Sequence, residues 1–257
     1  MRSPSLLASP APRILLMTAT IQPDPNASVG LSLVDPDQRR RQYEEAVRFY
    51  AGQGAGHLDG IVLAENSGSD LSSFAPLVPE SLALELLTVP GEPTTAETDR
   101  GYLEMMLVAR AFETSELLQQ PGATAVKVTG RYRIENLVPL MGSMRSGSDL
   151  GFNLRRYPRR WADMWIFFAN QRGMAALRPR LGDIDLVPAG GPPAEDTMFQ
   201  IVSDLHSRGT SVQRRFAVEP RLSGVRGYDG ARYESPRQRL KWMARTVVKR
   251  VAPPLWI

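Results

Sequence analysis

Apolar residues run along the first half of the chain in two alternating rhythms. Residues 14–21, ILLMTATI, form a continuous apolar and β-branched stretch that reads as a buried strand. Between residues 36 and 52, Tyr43, Ala46, Val47 and Tyr50 recur at i, i+3, i+4 and i+7, the stripe of an amphipathic helix. Asp35-Pro36 opens that helix as an N-cap followed by proline in the first turn, and Gly52 is placed to close it. Further strands are expected at 60–65, 82–89 and 123–128, with a second helix over about 95–119 and a helical run over 134–141. This β-α-β-β-α-β order implies an α/β fold: an open, mainly parallel sheet with helices on both faces.

The pattern loosens in the second half. Residues 161–177 read as a strand and a helix, or as one helix. Residues 178–196 are rich in Pro and Gly and read as a lid or acceptor loop, followed by a helix over 195–207. A terminal helix is expected over 236–251, before Pro253-Pro254 and Leu255-Trp256-Ile257. Residues 1–13 are broken by proline and read as a disordered tail, not a signal peptide. The remainder, 14–257, is expected to form one domain: a ligand-binding half (14–142), an irregular acceptor and catalytic half (143–235), and the terminal helix (236–257).

Ligands of open α/β sheets gather at the carboxyl ends of the strands. The candidate groups there are Thr18 and Thr20 after the first strand, and Glu65, Asn66 and Ser67 in the turn ENSGSD. Lys127, Thr129, Gly130, Arg131 and Tyr132 follow in KVTGRY, at the end of the fourth strand. Arg100-Gly101 opens the second helix, where free backbone N–H groups and the helix dipole attract phosphate. Each has a plainer alternative: threonines favour strands, and ENSGSD makes a good tight turn.

Composition narrows the chemistry. The 257 residues are 42% hydrophobic, enough for one sizeable core. Cysteine is absent, which excludes disulfides and thiolate metal sites, and nothing calls for an oxidising compartment; a cytoplasmic protein is expected. His57 and His206 are far apart and lack zinc-ligand spacing. No P-loop or Gly-x-Ser-x-Gly elbow is present. The formal net charge is +4, and only three of the 31 basic residues are Lys. Arginine grips phosphate with a bidentate fork, so a nucleotide diphosphate, an anionic membrane surface and nucleic acid are the candidate partners. Without a helix-turn-helix, zinc-finger or RNP-type signature, nucleic acid ranks last.

The segments ILLMTATIQP (14–23), IVLAENSGSDLSSF (61–74), RGYLEMMLVARAF (100–112) and TGRY (129–132) resemble, in order and spacing, bacterial polysaccharide-biosynthesis glycosyltransferases. That family has a GT-A-like, nucleotide-diphospho-sugar transferase fold. WADMWIFF (161–168), EDTMFQIV (195–202) and VEPRLSGVRGYDGARY (218–233) extend the resemblance to residues 14–254. It implies a nucleotide-sugar donor and a glycan or lipid-linked acceptor. It puts Thr18, Thr20, Glu65, Asn66 and Ser67 at the base and ribose, and Arg100 and Gly101 against the donor. Lys127, Thr129, Gly130 and Tyr132 would contact the donor, and Arg131, Arg133 or Lys127 could offset the charge of the leaving diphosphate, with Arg131 preferred. Asp163 and Glu195 match acidic positions of the family and are the candidates for the base of an inverting transfer; Asp149 and Asp196 stand behind them. The chain departs from the family at one point. GT-A enzymes often hold Mg or Mn with Asp-x-Asp after the fourth strand, where this chain has Thr129-Gly130-Arg131. Its only Asp-x-Asp, Asp183-Ile184-Asp185, falls in the Pro/Gly-rich loop. No metal ligand is therefore assigned. The alternatives are a non-catalytic nucleotide-sugar-binding or scaffold subunit of a polysaccharide assembly complex and, more distantly, a basic nucleic-acid module.

The last helix carries Leu240, Met243, Ala244, Val247, Val248 and Val251 at helical spacing, with Arg237, Arg239, Lys241, Arg245, Lys249 and Arg250 on the remaining positions. Two arrangements satisfy that pattern: docking on an anionic membrane, or packing on the core with a solvated basic face.

Overall fold

A computed structural model describes residues 11–24, 31–93, 95, 98–186, 192–225, 232–252 and 255. Most of the expected N-terminal tail, the middle of the 178–196 loop, Pro253-Pro254 and Trp256-Ile257 lie outside the described residues.

The first half runs β1 (Arg13–Ala19), α1 (Pro36–Gln53), β2 (Gly60–Glu65), β3 (Ala83–Thr88), α2 (Arg100–Thr114), α3 (Glu116–Gln119) and β4 (Thr124–Thr129). Shorter pieces follow: β5 (Arg133–Ile134), α4 (Leu137–Gly142), β6 (Leu150–Gly151), β7 (Leu154–Arg155) and β8 (Trp161–Ala162). The chain continues through β9 (Ile166–Asn170), α5 (Gln171–Leu177), α6 (Gly182–Asp185), α7 (Ala194–Ser207), β10 (Val212–Gln213), β11 (Leu222–Ser223) and α8 (Pro236–Val251).

Seven strands form one sheet in the order β10-β6-β9-β4-β1-β2-β3. Every neighbouring pair is parallel except the two that β9 makes with β4 and β6. This is the α/β architecture the hydrophobic pattern implies. Alternate residues of β1 feed opposite faces. Leu15 and Met17 pack with Tyr43, Val47 and Tyr50 of α1. Ile14 and Leu16 pack with Met105 and Val108 of α2 and with Met198 and Ile201 of α7. Each fully buried aliphatic side chain contributes about 1.5–3 kcal/mol relative to exposure.

Local chemistry sets the ends of these elements. Asp35 caps α1, accepting from Asp37 N at 2.9 Å and Gln38 N at 3.2 Å. The helix passes Gly52 and closes at Gly54. The expected second helix is divided at Ser115, whose backbone is extended and whose Oγ accepts from Leu118 N at 3.1 Å. Glu85 of β3 accepts from Glu116 N and Leu117 N at 2.9 and 3.1 Å, so tertiary contacts stabilise the break. The run expected over 134–141 is also split: Ile134 pairs with Leu222 in a β5–β11 ladder, and α4 starts at Leu137. Residues 161–177 resolve into strand and helix, with Asn170 capping α5 through Gly173 N at 2.9 Å. The 178–196 segment is less of a loop than its composition implies, because it contains α6 and the start of α7.

Candidate functional site

The chain leaves β1 through α1 to reach β2 on one side, then returns through α2 to β4 on the other. β1 is therefore the strand at which the connections reverse, and a crevice opens above its carboxyl end between α1 and α2. A cleft of about 530 Å³ occupies this crevice. Parallel register aligns its floor, setting Thr18 opposite Ala64 on β2 and Thr129 on β4.

Of the residues expected at the site, Thr18, Thr20, Asn66, Ser67, Arg100, Thr129 and Arg131 line the cleft. The exit of β1 is held by a polar lattice. Tyr43 Oη accepts from Thr20 N at 3.0 Å, and Arg39 Nε donates to Thr20 O at 2.6 Å. Thr20 Oγ1 donates to Asn66 Oδ1 at 2.7 Å, and Ser67 Oγ accepts from Gln22 N at 3.0 Å. Asn66 thereby lines the wall of the cleft. Arg131 is mostly buried and donates from Nη1 to Gln42 Oε1 at 3.1 Å. It also borders a second cavity of about 390 Å³ that includes Arg41, Arg133 and Arg232.

Other expected site residues are engaged within the protein. Glu65 is fully buried and accepts from Ile21 N at 3.0 Å, Ser67 N at 2.9 Å, Ser69 N at 3.2 Å and the Ser67 hydroxyl, so it shapes the turn rather than facing the cleft. Gly101 does not offer free amides. Asp99 caps α2, accepting from Gly101 N at 2.6 Å and Tyr102 N at 3.2 Å. A Cβ on Gly101 would meet the Ala194 methyl at 2.7 Å, so this glycine lets α7 approach α2. A Cβ on Gly130 would lie 2.4 Å from Thr18 O, so that glycine serves the packing of β4 against β1. Tyr132 packs edge-on against Tyr233 and accepts from Tyr50 Oη through its carbonyl at 2.8 Å.

Lys127 lies below the cleft. Its ammonium is fully buried beneath the floor, 2.7 Å from Glu104 Oε1 and 2.9 Å from Met164 O. It is paired with Glu104. That glutamate was not among the expected site residues. Its Oε1 accepts from Thr18 and Thr129, each at 2.7 Å, and from Lys127. The Glu104 side chain remains 24% exposed on the cleft, which makes it reachable by a ligand. Burial pushes its carboxyl up, but Lys127 and the two threonine hydroxyls outweigh burial and hold it below the usual carboxylate range. Burial likewise depresses the Lys127 ammonium against the pull of Glu104. The signal in the sequence was a carboxylate amid the apolar residues of a helix and a single lysine inside an apolar strand, each expensive to bury without the other.

Neither candidate base lines the cleft. Asp163 is enclosed: Arg155 donates to it from Nη2 at 2.6 Å and Nε at 3.2 Å, and Asn153 Nδ2 at 2.8 Å. Arg155 also reaches Glu219 Oε1 at 3.0 Å, and Lys249 of α8 lies 2.8 Å from Glu219 Oε2. Asp163 is thus part of a buried ionic network with Arg155, Asn153 and, through Arg155, Glu219. Glu195 opens α7, whose first residue packs on the start of α2 at the edge of the cleft. Burial holds its carboxyl above the usual range, and Asp99 and Asp163 add to the shift. Asp149 is bound to Arg172 at 2.9 Å and to Asn170. Asp183 pairs with Arg180 at 2.8 Å, and Asp185 accepts from Asp99 N at 3.1 Å. Among the described residues, no group of three or more His, Asp or Glu side chains is arranged to hold a metal ion. No helix among them is long and apolar enough to cross a membrane.

No protein-family model matches this chain, and no curated protein matches its sequence. Solved structures do match its fold. The inositol-1-phosphate CTP transferase from T. maritima superposes with a TM-score of 0.51 at 11% identity, over 95% of this chain and 99% of that one. UTP-bound UGPase from Acinetobacter baumannii gives a TM-score of 0.45 at 10% identity, over 94% and 95%. A protein from Desulfovibrio desulfuricans G20, assigned as a nucleotide-diphospho-sugar transferase, gives 0.44 at 12% identity, over 79% of each chain. The chain therefore shares its α/β fold, a mainly parallel sheet flanked by helices, with the T. maritima protein.

Proposed function

We propose that this chain is a glycosyltransferase that moves a sugar from a nucleotide-sugar donor to a growing glycan. The observation that carries the reading is the cleft at the β1 switch point, with Arg131 at one wall and the Thr20–Asn66 lattice at another. Thr20 and the Asn66 amide suit recognition of a base or ribose, and Arg131 suits the leaving diphosphate. In the transfer, an acceptor hydroxyl attacks the anomeric carbon while the bond from that carbon to the diphosphate oxygen breaks. Glu195, its affinity for protons raised by burial, is the base that receives the acceptor proton. Glu104 presents its cleft-facing oxygen to a hydroxyl of the bound donor.

A second reading, nucleotidyl transfer, follows from the shared fold with the CTP transferase of T. maritima. It requires a triphosphate to be gripped along its length. The segment between β1 and α1, residues 20–35, contains no Lys or Arg, which favours a diphosphate donor. Products separate the two readings. Titration calorimetry with a panel of nucleotide diphosphates, nucleotide sugars and nucleoside triphosphates identifies the ligand. Release of nucleoside diphosphate from a nucleotide sugar supports glycosyl transfer, and release of pyrophosphate from a triphosphate supports nucleotidyl transfer. Binding of no member of the panel removes both.

A further inference from the structure

The terminal helix α8 is turned the opposite way from an ordinary surface helix. Trp242, Arg245 and Lys249 share its inward face. Trp242 Nε1 donates to Glu219 O at 3.2 Å, Arg221 stacks 5.6 Å over the indole, and Lys249 pairs with buried Glu219 and reaches Asn153 Oδ1 at 3.3 Å. Burial lowers the proton affinity of Arg245 and of Lys249. The face that carries Trp242, Arg245 and Lys249 is thus what docks on the protein, with Lys249 paired to a carboxylate of the buried ionic network.

The consequence is that the apolar side faces out. Leu240, Met243, Val247 and Val251 are 64%, 49%, 57% and 74% exposed and form one continuous stripe. They account for four of the eight exposed large hydrophobics among the described residues, so the apolar surface is concentrated here rather than scattered. At 100° per residue, Arg237 and Lys241 flank the stripe on one side and Arg239 and Arg250 on the other. All four are exposed, and residues 236–257 contain no Asp or Glu.

We infer that α8 is a membrane-surface anchor: it lies in the plane of an anionic bilayer, with the stripe in the acyl boundary and the flanking cations at the headgroups. Charge decides the occupant. In a two-fold dimer the same patch meets itself, which would bring two acid-free basic rims together. An anionic lipid surface neutralises those cations while taking up the apolar stripe. This inference is independent of the reaction at the cleft.

The test is co-sedimentation of the full chain with vesicles of phosphatidylcholine alone and of phosphatidylcholine doped with phosphatidylglycerol. Binding to the doped vesicles only, weakened by added salt, is expected. Met243→Asp combined with Val247→Asp alters exposed positions, so the melting temperature should hold while vesicle binding falls at least tenfold, on the order expected for charges placed on the buried face. Arg239→Ser, Lys241→Ser and Arg250→Ser together should lower partitioning about 100-fold, each cation contributing about 1 kcal/mol near the surface. A wild-type chain that stays in the supernatant, binds both vesicles equally, or shows undiminished binding in the stripe variant overturns the anchor. A concentration-dependent dimer abolished by the stripe variant, without vesicle binding, assigns the face to a second copy instead.

Discussion

Two buried ion pairs are finished differently. Asp163 and Arg155, which do not line the cleft, pair with each other, and the further bonds go to Asn153, Glu219 and, through Glu219, to Lys249 of α8. Glu104 and Lys127, under the cleft, are arranged so that one carboxylate oxygen takes all the donors and the side chain stays partly open to the cleft. The first arrangement closes on itself and ties the C-terminal helix to the sheet. The second leaves an acceptor facing a cavity large enough for a nucleotide-sized ligand. A buried carboxylate is therefore a site residue only when the structure leaves it something to bind.

The comparison can be broken at its closed end first. Asp163→Ala leaves buried Arg155 with Glu219 as a remaining carboxylate partner but removes the 2.6 Å pair, and should cost about 3 kcal/mol of stability, read by denaturant unfolding. Near-normal stability with abolished turnover would instead make Asp163 a catalytic base. At the open end, Arg131→Ala should lower turnover about 100-fold, about 2.7 kcal/mol, with a circular dichroism melt close to wild type. Arg131→Lys should rescue it only partly, because an ammonium cannot reproduce the bidentate fork. Turnover within a few-fold of wild type in Arg131→Ala would make the guanidinium a structural neighbour of Gln42 only.

The smallest effect concerns pH. The carboxyls of Glu104 and Glu219 are held below their usual range, so in the folded protein they bind fewer protons than in the unfolded chain. The stability they contribute is complete above the unfolded carboxylate pKa of about 4.3 and is lost as pH falls through the lower folded values. Glu104→Gln should remove about 1–2 kcal/mol at neutral pH and flatten part of that acid-side decline, leaving the Glu219 portion. An unchanged acid profile in Glu104→Gln would show that its pairing with Lys127 contributes nothing to folding.

The local patterns carried β1, α1, β2 and α7 because their burial faces follow from periodicity alone, and Asp35 and Asn170 act through neighbours two or three residues away. The strand-end placement of Thr18, Thr20, Asn66 and Arg131 was legible for the same reason: in a parallel sheet, the end of each strand is the end of its apolar run. The division of the second helix at Ser115 was not, since Glu85, on another element, satisfies the amides there. The roles of Glu65, Lys127 and Asp163 were equally hidden. Composition shows that a charge is present, but only the partners that folding brings to it decide whether it is spent or available. Helix α8 shows the division most plainly. Its sequence determined that Leu240, Met243, Val247 and Val251 share one face and that cations surround them. Tertiary structure decided which face turns inward, because buried Glu219, outside the helix, pairs with Lys249 while its carbonyl accepts from Trp242, which leaves the apolar stripe to solvent.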